Sequence, residues 1–393
     1  MGSPAPGKNS ELPSVTDHRS GKPVIRKTGV REIPFGDVPE TGAVIKVAKG
    51  IFWARIPLPW SLDHINVYLI EEENGWTVID TGSQGKRGCE AWELLEENVL
   101  KGRPITRVIA THMHPDHLGL AGWLVDKYGA EFCMTQAEYL LAQVLWLESD
   151  GEFPQHELDF FFSGGVDRQV EAMIRSHGTG HFKRGVHRLP PVYTRLREGA
   201  ILSMGGRSWQ VIIGSGHSPE HACLYCLDEP IFISGDQVLP EITSNVSVHA
   251  RDPHANPLAQ WINTKNRLLQ IPGDPLVLPA HGPVFKGLQS RVSAVIEGHF
   301  ERLDKLHNSL KEEWHTPIET FKYLFRRKIT GVDFFLALGE ARAHLSLLLS
   351  LDLVEKNIVE GVEYYRSIGS YDEPSARKAI ENLPEEKLVE LSF

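Results

Sequence analysis

Cysteine is scarce in this 393-residue chain: Cys89, Cys133, Cys223 and Cys226 are all there are. Four unevenly spaced cysteines cannot frame a disulfide scaffold at this length, so stability has to come from a packed core. Cys223 and Cys226 form a CLYC within the apolar run ACLYCL, and no second CxxC answers it. On a strand, residues three apart face opposite sides, so the pair makes a poor chelate and reads as core packing. Long apolar runs are missing too; none approaches the roughly 20 residues of a membrane span. The N-terminal MGSPAPGKNSELPSVTDHRSGKP lacks an apolar h-region, so it does not read as a secretory signal, and a cytoplasmic location is expected. Positive charge is not in excess either. With 41 Lys and Arg against 51 Asp and Glu, the formal net charge of −10 argues against a dedicated nucleic-acid binder.

What is present is ordinary globular texture, 41% hydrophobic and 23% charged. Residues 1–43 are rich in Pro, Gly, Ser and charge, and read as an extended N-terminal arm, disordered in part or draped over the body. From residue 44 the pattern changes to short β-type runs, AVIKVAKGIFWARIPL and INVYLIEEENGWTVIDTG, with a hairpin signal at Asn74-Gly75. CEAWELLEENVL (89–100) has helical spacing, RVIA (107–110) is a short strand, and LGLAGWLVDKYG (118–129) reads as a helix ended by Gly129. Residues from about 135 to 200 show helical patterns and no strand signal, as a helical insertion would. Strands then resume with AILSMGG, SWQVIIG, ACLYCL and PIFISGD, followed by the helix PLAQWINTKNRLLQI and the strand-like PLVLPAHGP. Two similar sets of strands with helices between them predict a layered α/β body, two sheets inside and helices outside, over 44–287. Residues 288–393 read as a small, mainly helical C-terminal domain: three helices, the second in TPIETFKYLFRRK, and then a hairpin, the outline of a winged helix.

One stretch carries chemistry. THMHPDHLGL (111–120) packs His112, His114, Asp116 and His117 into six positions. A strand would throw His117 to the far face, and a helix would scatter all four. A tight loop closing around one or two cations gathers them, whereas crowded imidazoles with nothing between them repel when protonated. Three more ligand-type residues follow, each just past a predicted strand: His217 in GSGHSPEH, Asp236 in ISGD and His281 in PAHGP. Strand ends are where active-site loops gather in α/β folds. Seven ligands exceed the needs of one tetrahedral ion and suit two, with a carboxylate between them. Imidazole and carboxylate favour Zn²⁺ and are compatible with Fe or Mn.

HMHPDH, GHSPEH, ISGD and PAHGP, in that order, resemble the metal-binding motifs of the metallo-β-lactamase superfamily, specifically its glyoxalase II-like dinuclear branch. The resemblance covers roughly residues 45–287. It implies an αββα sandwich in which His112, His114 and His217 hold one metal and Asp116, His117 and His281 the other, with Asp236 bridging. Asp80, in VIDTG, would orient the histidine loop. Asp236 is the feature of glyoxalase II, lactonases and tRNA-processing nucleases rather than of true β-lactamases. The C-terminal region resembles the small winged-helix-like domain of several members and departs from the glutathione-binding domain of glyoxalase II. His221 fits either a supporting role behind the ligands or a structural one. His64 is expected at the pocket rim, and His177 and His181 either line a substrate cavity or face solvent.

Two functions compete. The first is a hydrolase of a small-molecule ester-type bond (thioester, lactone or related carboxylic derivative). In it a metal-bridging hydroxide attacks, and Asp116 and Asp236 are the catalytic carboxylates, Asp236 taking the proton. The second is a metal-dependent nuclease acting on RNA or DNA. Over residues 317–369, seven basic residues stand against seven acidic ones, with FRRK (325–328) as the one basic cluster, which disfavours the nuclease. A non-enzymatic redox or metal-storage role has no supporting motif. Phe334, Phe335, Leu336, Leu338, His344, Leu345 and Leu348 predict a broad apolar helix face, which must be covered by the catalytic body or by a second subunit. A homodimer is the expectation on the second alternative.

Overall fold

The computed structural model describes residues 29–149, 151–177, 181–326, 329 and 333–383. A first sheet runs in chain order through β1 (Ile45–Ala48), β2 (Ile51–Pro57), β3 (His64–Glu72), β4 (Gly75–Ile79), β5 (Ile105–Ile109), β6 (Glu131–Met134) and β7 (Thr194–Arg195). Its first four strands are antiparallel neighbours, and from β4 onward the pairing is parallel. A second sheet, ordered β12-β11-β10-β9-β8, contains β8 (Ile201–Met204), β9 (Arg207–Gly214), β10 (His221–Cys226), β11 (Ile231–Gly235) and β12 (Leu276–Pro279).

Three apolar layers explain why these sheets stack. Trp53, Tyr68, Ile79 and Ile109 of the first sheet meet Trp209, Val211, Leu224 and Ile233 of the second in one buried cluster. On the outer face of the first sheet, Val67, Leu69, Val78 and Val108 pack with Ala91, Trp92, Leu95 and Leu124 from helices. On the outer face of the second, Cys223, Phe232 and Val277 pack with Leu258, Trp261, Val292 and Leu345. Alternate residues of β9 and β10 thus serve two different layers, as the pleat requires. The result is the expected αββα sandwich. All four cysteines are free, and Cys223 and Cys226 are buried in the core.

Local structure departs from the sequence expectations in four places. The helix expected over 118–129 is two, Pro115–Leu118 and Ala121–Tyr128. The Leu120 amide donates to the Gly82 carbonyl instead, at 3.0 Å, so the chain breaks helix to dock on the loop after β4. Gly119 permits this; a Cβ there would lie 2.3 Å from the Pro115 carbonyl oxygen and 2.4 Å from that of Gly185. The 89–100 helix widens into a π-helical turn at Glu96–Leu100. Within the largely helical 135–200 region, β7 adds a two-residue edge strand. The second C-terminal helix shrinks to a 3₁₀ turn at Ile318–Thr320 and a single turn at Phe321–Leu324, and Arg327 and Lys328 of its basic cluster lie outside the described residues.

Beyond 287 come the helices Leu288–Ser309 and Asp333–Ser350, the hairpin β13 (Val354–Val359) and β14 (Val362–Ser367), and the helix Glu373–Asn382. These helices close over the second sheet. Of the predicted apolar face, Leu338, His344, Leu345 and Leu348 are fully buried within the chain, Phe334 and Phe335 are half-buried, and Leu336 is exposed. Of the expected N-terminal arm, residues 1–28 lie outside the described residues and residues 29–43 are described. There the chain drapes on the body: Glu32 bridges Lys286, and Arg31 donates to the Lys286 carbonyl at 3.0 Å. No helix among the described residues is long and apolar enough to cross a membrane.

Candidate metal centre

All seven ligand-type residues lie just past strand ends, five in loops and Asp116 and His117 in the single helical turn Pro115–Leu118. His112, His114, Asp116 and His117 follow β5, His217 follows β9, Asp236 follows β11 and His281 follows β12. They gather into two abutting groups, His112, His114, His217 and Asp236 in one, Asp116, His117 and His281 in the other. In the first, His112 Nε2 stands 2.8 Å from His114 Nδ1 and 3.2 Å from His217 Nε2. Asp236 Oδ2 lies 3.2 Å from His217 Nε2. In the second, Asp116 Oδ2 is 3.3 Å from His281 Nε2 and 3.7 Å from His117 Nε2. Asp236 faces both groups, since its oxygens also reach His117 Nε2 at 3.6 Å and His281 Nε2 at 3.5 Å.

These spacings fit cations. Donor atoms about 2.0–2.1 Å from one tetrahedral centre stand about 3.3 Å from each other. The buried polar atoms fit as well. His117 Nε2, His281 Nε2 and Asp236 Oδ1 are buried without a hydrogen-bond partner, and all three point into the shared space. An unmet buried donor or acceptor costs about 1–3 kcal/mol, which a bound ion removes.

In four of the five histidines the other ring nitrogen is anchored, which assigns the tautomer. His117 Nδ1 donates to Asp80 Oδ2 at 2.8 Å, His217 Nδ1 to the Asn245 carbonyl at 2.7 Å, and His281 Nδ1 to the His64 carbonyl at 2.8 Å. His112 Nδ1 donates to Thr111 Oγ1 at 3.1 Å, and that hydroxyl passes its own proton to Asp80 at 2.9 Å. Such partners orient the rings and raise their basicity as ligands. Asp80 holds this place at φ +58°, a left-handed backbone that costs an L residue. Its bond from the Thr111 amide, at 2.8 Å, and those from Thr111 Oγ1 and His117 offset that strain.

Electrostatics divide the two groups. Burial, then the neighbouring imidazoles, push His112 well below the usual histidine range, and burial and His217 push His114 down to about 3. Both are therefore neutral nitrogen donors at neutral pH. Burial also works against charge on His117 and His281, yet the carboxylates outweigh it. Asp80, Asp116 and Asp236 hold His117 well above its ordinary value, and Asp236 and Asp116 raise His281. A pocket that pulls this hard on a proton pulls on a cation for the same reason.

His221 belongs to neither group. Its Nε2 accepts the Asp236 amide at 3.0 Å and its ring stacks on His112, 4.7 Å between centroids, so it supports the ligands. Gly235 has φ +50°, and a Cβ there would sit 2.4 Å from the His221 ring; the glycine of ISGD lets that contact form. His64 Nε2 accepts the Gly282 amide at 3.2 Å, beside the His281 loop. The side chains of His177 and His181 lie outside the described residues. Sequence reasoning missed Thr111, Glu138 and Asn245. Thr111 adjoins the motif, while Glu138 accepts from main-chain amides and Asn245 acts through its own main-chain carbonyl, so neither leaves a signature.

Comparison with known proteins agrees with this geometry. A family model described as Metallo-beta-lactamase superfamily matches residues 60–281. A crystal structure of a beta-lactamase domain protein from Burkholderia ambifaria superposes with a TM-score of 0.76 at 34% identity, covering 86% of this chain and 99% of that one. The probable metallo-hydrolase YqjP of Bacillus subtilis is 24% identical over 80% of this chain and 97% of its own length. The human acyl-coenzyme A thioesterase MBLAC2 is 27% identical over 61% of this chain and 80% of its own.

Proposed function

This chain belongs to the metallo-β-lactamase superfamily and is a metal-dependent hydrolase; from that premise we propose that it cleaves a thioester or related carboxylic ester at a site holding two divalent cations. The observation that carries this reading is Asp236, whose two oxygens face both ligand groups from the middle. His112, His114 and His217 would hold one ion, Asp116, His117 and His281 the other, with Asp236 shared. Zinc suits this donor set, and iron or manganese is compatible with it. Bound there, such ions would lower the pKa of a water to near neutrality and polarise the carbonyl.

The chain's own groups do the rest. His117, His217 and His281 each give one nitrogen to a fixed partner, so their other nitrogens cannot swing away as charge develops. Asp236 is the carboxylate placed to take a proton from the attacking water. Its position does not depend on its side chain: the main-chain amide is held by His221, and its carbonyl accepts from Ser244 Oγ. Asp116 shares the second group and lies nearer solvent, its side chain 15% exposed against 10% for Asp236.

A small-molecule substrate is part of this proposal. The name of the human relative supports a thioester, and the charge pattern of the C-terminal region supports the absence of a nucleic-acid partner. Lys356 pairs with Glu363 at 3.2 Å, Arg366 with Glu355 at 2.6 Å, and the buried Arg342 with Glu363 at 3.2 Å. Three of the seven basic residues there are thus spent within the fold. The test is a panel of an acyl-coenzyme A, a lactone, a β-lactam and bis(p-nitrophenyl) phosphate, offered to the protein loaded with Zn²⁺, Fe²⁺ or Mn²⁺. Turnover of the thioester above the others is expected. Phosphodiester turnover with no carboxyl-ester cleavage would replace this reading with the nuclease.

A further inference from the structure

Glu138 is fully buried, yet it touches no cation among its described hydrogen bonds. It sits in the first turn of the helix Gln136–Glu148, where a carboxylate ordinarily caps its own helix in water. Instead, Oε2 accepts the amide of Met113, between His112 and His114, at 3.0 Å. Oε1 accepts the amide of Glu220, three residues past His217, at 2.8 Å. The favour is returned. Glu220 Oε2 accepts the Ala137 amide at 2.9 Å, and the Glu220 carbonyl accepts from Thr135 Oγ1 at 2.7 Å. Four hydrogen bonds therefore lock the start of one helix to two ligand loops that are about a hundred residues apart in the chain. Burying a carboxylate is costly unless both oxygens are met by donors, and here both donors are main-chain amides of ligand loops.

We propose that Glu138 is a positioning residue for the His112, His114 and His217 group, setting the distance between the two loops that supply it. Asp80 bonds the His117 ring itself, whereas Glu138 holds the main chain of the loops that carry this group. The inference rests on the reading of a metal site, and it adds a direction. The insertion helix is part of the metal centre's scaffold, so whatever displaces that helix alters one ion site before the other. A glutamine at 138 keeps the size of the side chain and places an amide NH₂ against a main-chain N–H, so one of the two loops is released.

The experiment titrates metal-free full-length protein with Zn²⁺ against a chromophoric chelator, for the wild type, Glu138→Gln and Glu220→Gln, and follows the visible spectrum on Co²⁺ loading. The Glu138 variant should weaken one of two equivalents by about tenfold to a hundredfold, with a changed Co²⁺ spectrum for that equivalent, and leave the other within about twofold. Glu220→Gln, which loosens the clasp from its more accessible side, should weaken the same equivalent by less. It also decides the matter if the buried variant does not fold. Wild-type affinity for both equivalents, or an equal loss from both, would overturn the assignment. A wild type that binds one equivalent would sink the two-ion reading instead; Glu138 would then stand or fall on whether that equivalent weakens.

Discussion

Two groups of buried histidines in this molecule look alike by burial and differ in purpose. One is the metal centre. The other is His299 and His344, packed where the helices Pro257–Leu268, Leu288–Ser309 and Asp333–Ser350 meet. Their rings stack 5.4 Å apart, and His299 lies 4.8 Å from Trp261. Burial, then Arg302, pushes His344 down to about 3, and the same two causes press His299 well below its usual range. His114 is likewise pushed down to about 3, and His112 too lies well below its usual range. A depressed imidazole pKa therefore marks burial beside other basic groups, not a metal site. What separates the groups is carboxylate. His344 Nδ1 donates to the Glu340 main-chain carbonyl at 2.8 Å, and His299 Nδ1 lies 3.1 Å from the Arg302 guanidinium. Neither meets an Asp or Glu side chain in those contacts. Among the described residues, only the metal centre gathers three or more ligand-type side chains around one point.

The comparison breaks most visibly at Asp236. Asp236→Ala should lower hydrolysis on the order of a hundredfold or more and cut bound metal, while the apo-protein melts nearly as the wild type does, because His221 and Ser244 hold the main chain. Activity, elemental analysis and a melting curve on one preparation check this. A fully active variant with two ions would remove Asp236 from the centre. A step smaller is Asp80→Asn. Asparagine tolerates the left-handed backbone at this position, so the change acts on the bonds to His117 and Thr111 and not on strain. Metal affinity should fall about tenfold to a hundredfold, at the ion that His117 holds. An unchanged titration would show that the Asp80 carboxylate is structural.

The smallest effect is expected at the other histidine group, and its sign is opposite in kind. His344→Leu should leave metal content and turnover unchanged. It should instead flatten the acid limb of stability. The folded-state pKa of His344 is about 3, below the ordinary 6.5, so as pH falls from 6.5 the unfolded chain takes the proton first. The wild type then loses up to about 1.4 kcal/mol per pH unit from this ring between pH 6.5 and 3. Urea denaturation at pH 7, 5 and 4 measures the slope. A variant with the wild-type slope, or with altered metal binding, would erase the distinction between the two groups.

The candidate metal ligands were legible because their chemistry is local and type-specific. No single strand or helix gathers the four side chains of HMHPDH, which the structure splits between a loop and one helical turn, and His217, Asp236 and His281 each follow a recognisable strand. The sandwich followed from the alternation of apolar residues in strands and their spacing in helices. The break at Leu120 was not legible, since LGLAGWLVDKYG carries helical spacing throughout, and the bonds from its amide to the Gly82 carbonyl and to Thr81 Oγ1 interrupt it. The apolar face of Asp333–Ser350 was legible as a face, but not what covers it.

The sequence by itself thus determined the set of candidate ligand side chains and the layered fold that brings strand ends to one edge. The tertiary structure alone decided how those ligands are held: Asp236 between the two groups, His217 fixed by the Asn245 carbonyl, His281 by that of His64, and both histidine loops tied to the Glu138 carboxylate. The reason is physical. A metal selects its ligands by residue type, which a sequence displays. A support is most often a main-chain amide or carbonyl, which every residue carries, so only the folded chain shows which one stands within reach.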